Sequence, residues 1–339
     1  MKFLKTIGIT SNQPVGRGFN FPYDLAINHH GESELILYML NRGPSNSNGA
    51  TRIQYFTLNE KWLGEFGHNE VGLERLSRPV AMAFNGNQIL FVTDEASDEI
   101  KLFDSEGNFT RAINVKDMND PDSLEPVGPA GITIDSHNNI FVVSRYGNFV
   151  QKLDEGGNPV DQWGSKGTGI SEFNMPWGLD VDSQGNVYVA DWRNDRIQKF
   201  DSKGNFIKIL GKTGSKPGEF NRPSSVSANA LGQIAVADWG NERVQILDAD
   251  GYCLQVLEGS SELSLWSKEW LDANLDEKNA RSRANLKDFN LPKHLNSAYH
   301  RASQIEHKFW GPVSVKFDLS DRLYVTEHSR HRLQVFEIE

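Results

Sequence analysis

The sequence predicts an all-β fold: a single six-bladed β-propeller with a helical insertion between blades five and six. Two segments that begin 47 residues apart are almost copies, FNMPWGLDVDSQGNVYVADWRNDRIQKF from Phe173 and FNRPSSVSANALGQIAVADWGNERVQIL from Phe220. Each alternates apolar and polar residues in short stretches, which is typical of a four-stranded sheet, and such a sheet repeated around an axis is a propeller blade. Weaker copies begin at Leu76, Val127 and Phe309, and the most divergent copy begins at Phe19.

The turn between the third and fourth strands repeats most clearly. An aspartate followed three residues later by glycine occurs at Asp104, Asp154, Asp201 and Asp248. The aspartate side chain accepts hydrogen bonds from the turn backbone, and glycine takes a positive φ without steric cost. The pattern therefore predicts a hairpin at the same place in each of these copies.

The last copy supplies only three strands, and the start of the chain resembles a fourth. The stretch KFLKTIG at residues 2–8 is similar to FIKILG at residues 206–211. A strand from the N-terminus that completes blade six would remove the open sheet edges. The predicted boundaries are 2–8 for that outer strand, 19–75, 76–124, 125–172, 173–219 and 220–257 for blades one to five, 258–308 for the insertion, and 309–339 for the rest of blade six.

The charge and cysteine content of the chain exclude several classes of binding partner and metal site. The 339 residues include 35 Lys and Arg against 45 Asp and Glu, a net charge of −10. This acidity argues against a nucleic-acid or acidic-membrane partner, because phosphate groups are bound by basic surfaces. The single cysteine, Cys253, excludes an internal disulfide and a cysteine-based zinc site. Because the sequence has no long apolar run and only a short apolar stretch at its start, we expect a cytoplasmic protein.

The stretch from Pro176 to Phe200, PWGLDVDSQGNVYVADWRNDRIQKF, resembles the NHL repeat. The likeness is strongest in copies four and five and weakest in copy one, and NHL repeats commonly form six-bladed propellers. The repeat's aspartate and arginine correspond to Asp191 with Arg196 and to Asp238 with Arg243. We interpret these pairs as structural braces and not as a catalytic site.

Topology predicts where a site lies. In a four-stranded meander, the start of the innermost strand, the loop after the second strand and the link to the next blade all emerge on one face, at one mouth of the central channel. Arginines there favour a carboxylate or phosphate, and tryptophan faces stack on rings or cations. For Trp192 and Trp239, packing between blades is an open alternative. The predicted ligand-binding residues are Tyr23, Asp24, Glu95, Arg145, Trp177, Trp192, Arg193 and Trp239.

Among NHL-type propellers, the enzyme for comparison is peptidyl-α-hydroxyglycine α-amidating lyase. The resemblance implies that its zinc-binding histidines would correspond to Val80, Trp177 and Val313, none of which binds zinc. We therefore expect no metal and no cofactor. Its functional arginine and tyrosine would correspond to Arg42 and Tyr146. With His328, in the mouth loop of blade six, these two are the candidate catalytic residues of a metal-free, lyase-like enzyme.

The insertion at residues 258–308 is charged, and its leucines and tryptophans have helical spacing. We predict one helix capped by Ser260 or Ser264, with Leu265, Trp266 and Trp270 on one face, and a second helix over 295–308. Topology predicts that the insertion covers the mouth as a lid or wall. The alternative is a cap without a functional role, or a contact between two copies of the chain.

Two functions remain open from the sequence. In the first, the mouth binds or acts on a small molecule or peptide beneath a lid. In the second, the chain is a non-catalytic propeller that presents the insertion face to a protein partner. An enclosed cavity of a few hundred cubic ångströms would favour the first function, and an open mouth the second.

Overall fold

The computed structural model describes residues 1–13, 15–30, 34–43, 51–68, 72–286 and 290–338. Six four-stranded antiparallel sheets lie within these residues. The predicted six-bladed propeller with an insertion between blades five and six is confirmed. Most of the predicted blade-one loop at 41–50 lies outside the described residues.

Blades one to three follow each other along the chain, each with its strands in sequence order from the inside outward. Blade one contains β2 (Pro22–His30), β3 (Glu34–Asn41), β4 (Arg52–Thr57) and β5 (Trp62–Phe66). Blade two contains β6 (Pro79–Phe84), β7 (Leu90–Asp94), β8 (Glu99–Phe103) and β9 (Phe109–Asn114). Blade three contains β10 (Pro129–Ile134), β11 (Ile140–Ser144), β12 (Phe149–Leu153) and β13 (Pro159–Trp163).

Blades four to six complete the ring, and a short parallel pair, β14 (Ser165–Lys166) and β15 (Glu172–Phe173), precedes blade four. Blade four contains β16 (Leu179–Val181), β17 (Val187–Asp191), β18 (Arg196–Phe200) and β19 (Phe206–Leu210). Blade five contains β20 (Pro223–Ala228), β21 (Ile234–Asp238), β22 (Arg243–Leu247) and β23 (Cys253–Leu257). Blade six contains β24 (Pro312–Phe317), β25 (Leu323–Glu327), β26 (Arg332–Glu337) and, as its outer strand, β1 (Lys2–Ile7).

The hydrophobic core lies between blades. Each of six clusters of buried apolar side chains combines residues from two neighbouring blades. The cluster between blades six and one includes Ile7 and Val335 from one sheet and Leu25 and Phe56 from the next. Because every sheet is covered on both faces, apolar residues occur on both sides of the middle strands, as in β17 and β21.

In blades four and five, an aspartate and an arginine brace the blade against the link that precedes it. Arg196 Nε lies 2.8 Å from Asp191 Oδ2, and the rest of the guanidinium donates to the carbonyl oxygens of Thr168, Gly169 and Glu172. Arg243 and Asp238 repeat this arrangement in blade five. Every edge of these guanidinium groups is therefore used within the fold, which agrees with the structural interpretation.

A second recurring contact was not predicted from the sequence. In four blades, a residue that follows the second strand has a φ between 53° and 59°. Its side-chain oxygen accepts a hydrogen bond from the backbone N–H of the residue before the proline that starts the next blade. We call this contact the latch. The latches join Asp98 to Gly128, Asn148 to Met175, Asp195 to Arg222, and Glu242 to Gly311, at 2.6–2.8 Å. Each latch fixes where the following inner strand starts, and so it orients a mouth residue.

The insertion contains α1 (Leu265–Ala273), α2 (Leu275–Arg283) and α3 (Ala298–Gln304), with a 3-10 turn at Lys293–Leu295 before α3. Ser264 caps α1 by accepting the N–H of Ser267 at 3.0 Å. Trp266 is buried in the core between blades six and one, and its Nε1 donates to the Glu60 carbonyl oxygen at 2.7 Å. The predicted apolar face is wrong in part, because Leu265 and Trp270 remain exposed, and α2 was not predicted.

The far end of the insertion is anchored on blade six. The Arg330 guanidinium donates to the carbonyl oxygens of Ala302, Ile305 and Lys308, at the C-terminal end of α3. These two anchors attach the insertion to blade one and to blade six. Among the described residues, no helix combines the length and hydropathy that crossing a bilayer requires.

Candidate functional site

Two rings of residues surround the mouth, and the strand register places them side by side. In five blades, the proline that starts the inner strand pairs with the last residue of the second strand, as Pro22 does with Asn41. The residues that follow these partners therefore lie on the same face. One ring follows the prolines: Tyr23, Val80, Ala130, Trp177, Ser224 and Val313. The other follows the second strands: Arg42, Glu95, Arg145, Trp192, Trp239 and His328.

The charged half of the mouth is centred on Glu95, whose side chain is 1% exposed. Its carboxylate lies 2.5 Å from Arg42 Nη2, 3.0 Å from Arg145 Nη1 and 3.3 Å from Arg78. Tyr146 Oη is 3.5 Å from the same carboxylate. We predicted that Glu95 binds a ligand directly, but its carboxylate is occupied by arginines and instead holds them in place.

The two buried arginines of this network also stack on aromatic rings. The Arg42 guanidinium lies 4.8 Å from the Tyr23 ring centroid, and that of Arg145 lies 4.2 Å from Trp177. Cation–π contacts of this kind are attractive and hold the guanidinium plane against the ring. Burial raises the pKa of Tyr23, so this phenol stays neutral at physiological pH.

The other half of the mouth is aromatic. Ring centroids are separated by 6.2 Å between Tyr23 and Trp177, 5.5 Å between Trp177 and Trp192, and 6.4 Å between Trp192 and Trp239. We call these four residues the aromatic arc. The inter-blade clusters of blades three to five contain none of the three tryptophans. Trp192 of blade four nevertheless contacts Trp239 of blade five, so packing between blades stays an alternative to ligand binding for these two residues.

Arg193 and Arg222 flank the arc from the outside. Their guanidinium groups lie 5.5 Å and 5.2 Å from the Trp192 ring centroid. Arg193 was predicted from its loop position, whereas Arg222 was missed because it precedes the repeat proline. Its latch to Asp195 turns it toward Trp192.

His328 lies beside Tyr23, on the opposite side from the Glu95 network. Its Nδ1 is 3.3 Å from the Pro22 carbonyl oxygen, and its ring centroid is 5.5 Å from that of Tyr23. Burial lowers the pKa of His328 to about 4, and the charge of Arg42 adds to this effect. With Nδ1 donating to the carbonyl, the neutral ring carries its acceptor lone pair on Nε2.

Asp24 differs from the expectation for a ligand-binding residue. Its carboxylate lies below the mouth and accepts the backbone N–H of Met82 at 2.7 Å and the Ser314 hydroxyl at 2.5 Å. These contacts join the inner strands of blades one, two and six. Asp24 is therefore a brace inside the channel, because both of its oxygens are used by neighbouring blades.

The channel beneath the mouth is almost closed. Its cavity measures about 20 Å³, roughly the space of one water molecule. Gly131 donates its N–H to the Trp177 carbonyl oxygen at 2.8 Å, and the absence of side chains at Gly131 and Gly178 lets neighbouring inner strands approach closely. This cavity therefore has space for about one water molecule and not for a larger ligand.

The described residues of the insertion do not line this cavity. Helix α3 instead contacts the 3-10 turn Trp239–Asn241, in the mouth loop of blade five, so the lid or wall over the mouth stays a prediction. A separate open groove of about 610 Å³ lies within the insertion, lined by side chains between residues 263 and 286. Among the described residues, no group of three or more His, Cys, Asp or Glu side chains is placed to hold a metal ion.

The Glu242 latch predicts a pH-dependent stability. Burial raises the pKa of Glu242 to about 7, and the nearby charge of Glu327 adds to the rise. The folded state therefore binds a proton that the unfolded chain has lost above pH 4.5, and stability falls as pH rises from about 4.5 to 7. Glu242→Gln keeps the oxygen that accepts the Gly311 N–H but cannot titrate. We expect the unfolding free energy of this variant, relative to that of wild type, to be about 2 kcal/mol higher at pH 8 than at pH 5.

Urea unfolding at the two pH values measures this difference, with Glu277→Gln on the exposed helix α2 as the control. The quantity compared is the unfolding free energy of the variant minus that of wild type. This difference cancels the contribution of His328, whose titration makes the protein more stable as pH rises. With its pKa lowered to about 4, the stability that His328 contributes is present above pH 6.5 and is lost on acidification. Equal differences at pH 5 and pH 8 for Glu242→Gln would contradict the prediction.

Comparisons with known proteins agree with the architecture. The NHL repeat model matches residues 173–200 and 220–247. The chain is similar to a streptogramin B lyase structure at 12% identity, covering 99% of this chain and 98% of that one with a TM-score of 0.56. It is similar to selenomethionine-substituted virginiamycin B lyase from Staphylococcus aureus at 11% identity, covering 99% of both chains with a TM-score of 0.55.

A chain of a nidogen/laminin complex is similar at 16% identity, covering 70% of this chain and 79% of that one with a TM-score of 0.52. The search of curated proteins gave no match. At these identities, the solved structures show a shared fold. Together with the six closed sheets, they show that the chain is a six-bladed β-propeller whose blades four and five carry NHL repeats.

Proposed function

We propose that the mouth of this propeller is a binding surface for a small molecule or peptide with an aromatic or apolar portion. The observation that carries the proposal is the aromatic arc. Its four large rings contact one another around the mouth and remain partly exposed. Contiguous exposed aromatic surface is uncommon on a monomer and is typical of binding sites.

The shape of the site favours a ligand that lies across the surface. A channel cavity of about 20 Å³ leaves no room for a buried small molecule, and the described insertion residues do not line it. An extended peptide segment, or a flat molecule stacked on the arc, fits this geometry better than an enclosed substrate. A protein partner at the insertion face remains a prediction.

Saturation-transfer NMR with N-acetyl-phenylalaninamide, a neutral aromatic probe, tests the proposal. We expect Trp192→Ala to weaken binding of this probe at least tenfold, because the substitution interrupts the arc at its centre. The control is Trp270→Ala, which removes a tryptophan that is 46% exposed on α1, away from the mouth. The proposal fails if wild type does not bind the probe, or if Trp192→Ala binds it unchanged.

A metal-free, lyase-like activity at the same mouth is the second candidate. It is favoured by the shared contact of Arg42 and Tyr146 with Glu95 and by the neutral His328. A lyase needs a base that takes a proton and a donor that stabilises the leaving atom. His328 Nε2 would be the base, and Tyr146 with Arg42 would be the donors.

Incubation with quinupristin, the molecule present with a catalytically inactive virginiamycin B lyase of similar fold, tests this candidate. We expect mass spectrometry and chromatography to detect a product with wild type and much less with Tyr146→Phe. Unchanged quinupristin after prolonged incubation with wild type would count against lyase action on this compound class.

A further inference from the structure

We infer that the ligand of this mouth carries a carboxylate, which Arg145 and Arg42 bind beside the aromatic arc. The inference rests on the proposed function and names the class of ligand. Its first basis is charge. Arg42, Arg78 and Arg145 surround one carboxylate, that of Glu95, so this network of four residues has two more positive than negative charges.

The second half of the mouth adds to this excess. Arg193 and Arg222 both lie against Trp192. Within the described residues, neither arginine forms an ion pair. The whole protein has a net charge of −10, so a local group of five arginines is a marked departure from its average. Such a group raises the local concentration of anions.

The third basis is the hydrogen-bonding state of the arginines. In the braces, Arg196 and Arg243 use every edge of the guanidinium group on carboxylates and carbonyl oxygens. Arg145 instead uses Nη1 on Glu95, and its Nε is buried with no partner in the part of the chain that the structure describes. An unpaired buried donor costs about 1–3 kcal/mol, so Arg145, unlike the brace arginines, keeps hydrogen-bonding capacity that the fold does not use.

The arginines are also held in place before a ligand arrives. Glu95 holds one edge of each guanidinium from below, and the Tyr23 and Trp177 rings cover one face of each. The Arg42 and Arg145 side chains remain 15% and 14% exposed, so their contact with solvent is at the mouth. A fixed planar donor edge suits bidentate binding of an anion.

A carboxylate fits better than a phosphate. A dianion would lie close to the buried charge of Glu95, and like charges repel. A planar monoanion matches the guanidinium edge, and an attached ring would reach the tryptophans of the arc. The expected class is therefore an aromatic acid or a peptide that ends in an aromatic residue with a free carboxylate.

The test compares N-acetyl-phenylalanine with its amide by saturation-transfer NMR and calorimetry. We expect wild type to bind the acid at least tenfold more tightly than the amide, with a preference that falls as salt rises. Arg145→Gln should reduce acid binding to the level of the amide. Arg145→Lys, which keeps the charge but loses the planar edge, should lose most of the preference.

The control is Arg111→Gln, on the outer strand of blade two. A far-UV circular dichroism spectrum that matches wild type would show that each variant is folded.

Further probes separate the possible sources of the carboxylate. Phenylacetate represents a free aromatic acid, and N-acetyl-Gly-Gly-Phe with a free carboxylate represents a peptide terminus. Equal binding of acid and amide, both weakened by Trp192→Ala, would overturn the carboxylate inference and leave the proposed function intact. Binding of neither would overturn both. Displacement of the acid by an equal concentration of inorganic phosphate would also overturn the choice of a carboxylate.

Discussion

Gly131→Ala is expected to destabilise the propeller by about 3 kcal/mol or more, since overpacking against a backbone that cannot move away is strongly unfavourable. A Cβ atom at Gly131 would lie 2.5 Å from the Trp177 carbonyl oxygen and 2.8 Å from the Gly178 Cα. Both contacts are with the backbone of the neighbouring inner strand. The substitution would therefore separate blades three and four and weaken the 2.8 Å hydrogen bond between Gly131 and Trp177.

Urea unfolding followed by tryptophan fluorescence measures the effect, with soluble yield as a second readout if the variant does not fold. Gly86→Ala is the matched control, because its nearest contact would be 3.4 Å, with the end of the Asn138 side chain. We expect the control to change the free energy of unfolding by less than about 1 kcal/mol. A Gly131→Ala variant as stable as the Gly86→Ala control would show that the inner strands are not in close contact.

Glu95→Gln is expected to cost about 2–3 kcal/mol of unfolding free energy, because removing one partner of a buried ion pair leaves the other charges uncompensated. The amide has nearly the shape of the carboxylate, so packing is preserved while Arg42 and Arg145 lose their counter-charge. The cost is below that of a fully buried pair because both arginines retain some contact with water. The difference between variant and wild type should be smaller in high salt.

Arg78→Gln is the control for the same network. The Arg78 side chain is 58% exposed and lies 3.3 Å from Glu95, so its loss should change stability by less than about 1 kcal/mol. Thermal and urea unfolding of the two variants at low and high salt measure the contrast. Equal effects of Glu95→Gln and Arg78→Gln would mean that Glu95 does not hold the two buried arginines.

Several elements were predictable because they depend on local patterning. The repeated prolines, alternating apolar residues and Asp-x-x-Gly turns of residues 173–257 report which side of a strand is buried and where the chain turns. That information was enough to predict the blades, the pairing of an N-terminal strand with blade six, and the face on which Trp177 and Trp192 would lie.

The partners of the mouth residues were not predictable in this way. Glu95 and Asp24 looked alike as acidic residues near the channel, yet one holds arginines and the other joins inner strands. The anchor of Trp266 on Glu60 and the latch of Glu242 on Gly311 likewise join residues far apart in the chain.

The sequence by itself determined the number of blades, the closure of the ring and the residue types around the mouth. These features depend on the repeat, on the alternation of apolar residues and on the turn residues, all of which can be recognised from neighbouring positions in the chain. Only the tertiary structure decided which charges pair, how narrow the channel is and where the insertion is held. The physical reason is that pair distances between blades depend on how whole sheets pack, and glycines such as Gly131 set that packing through contacts with a different repeat.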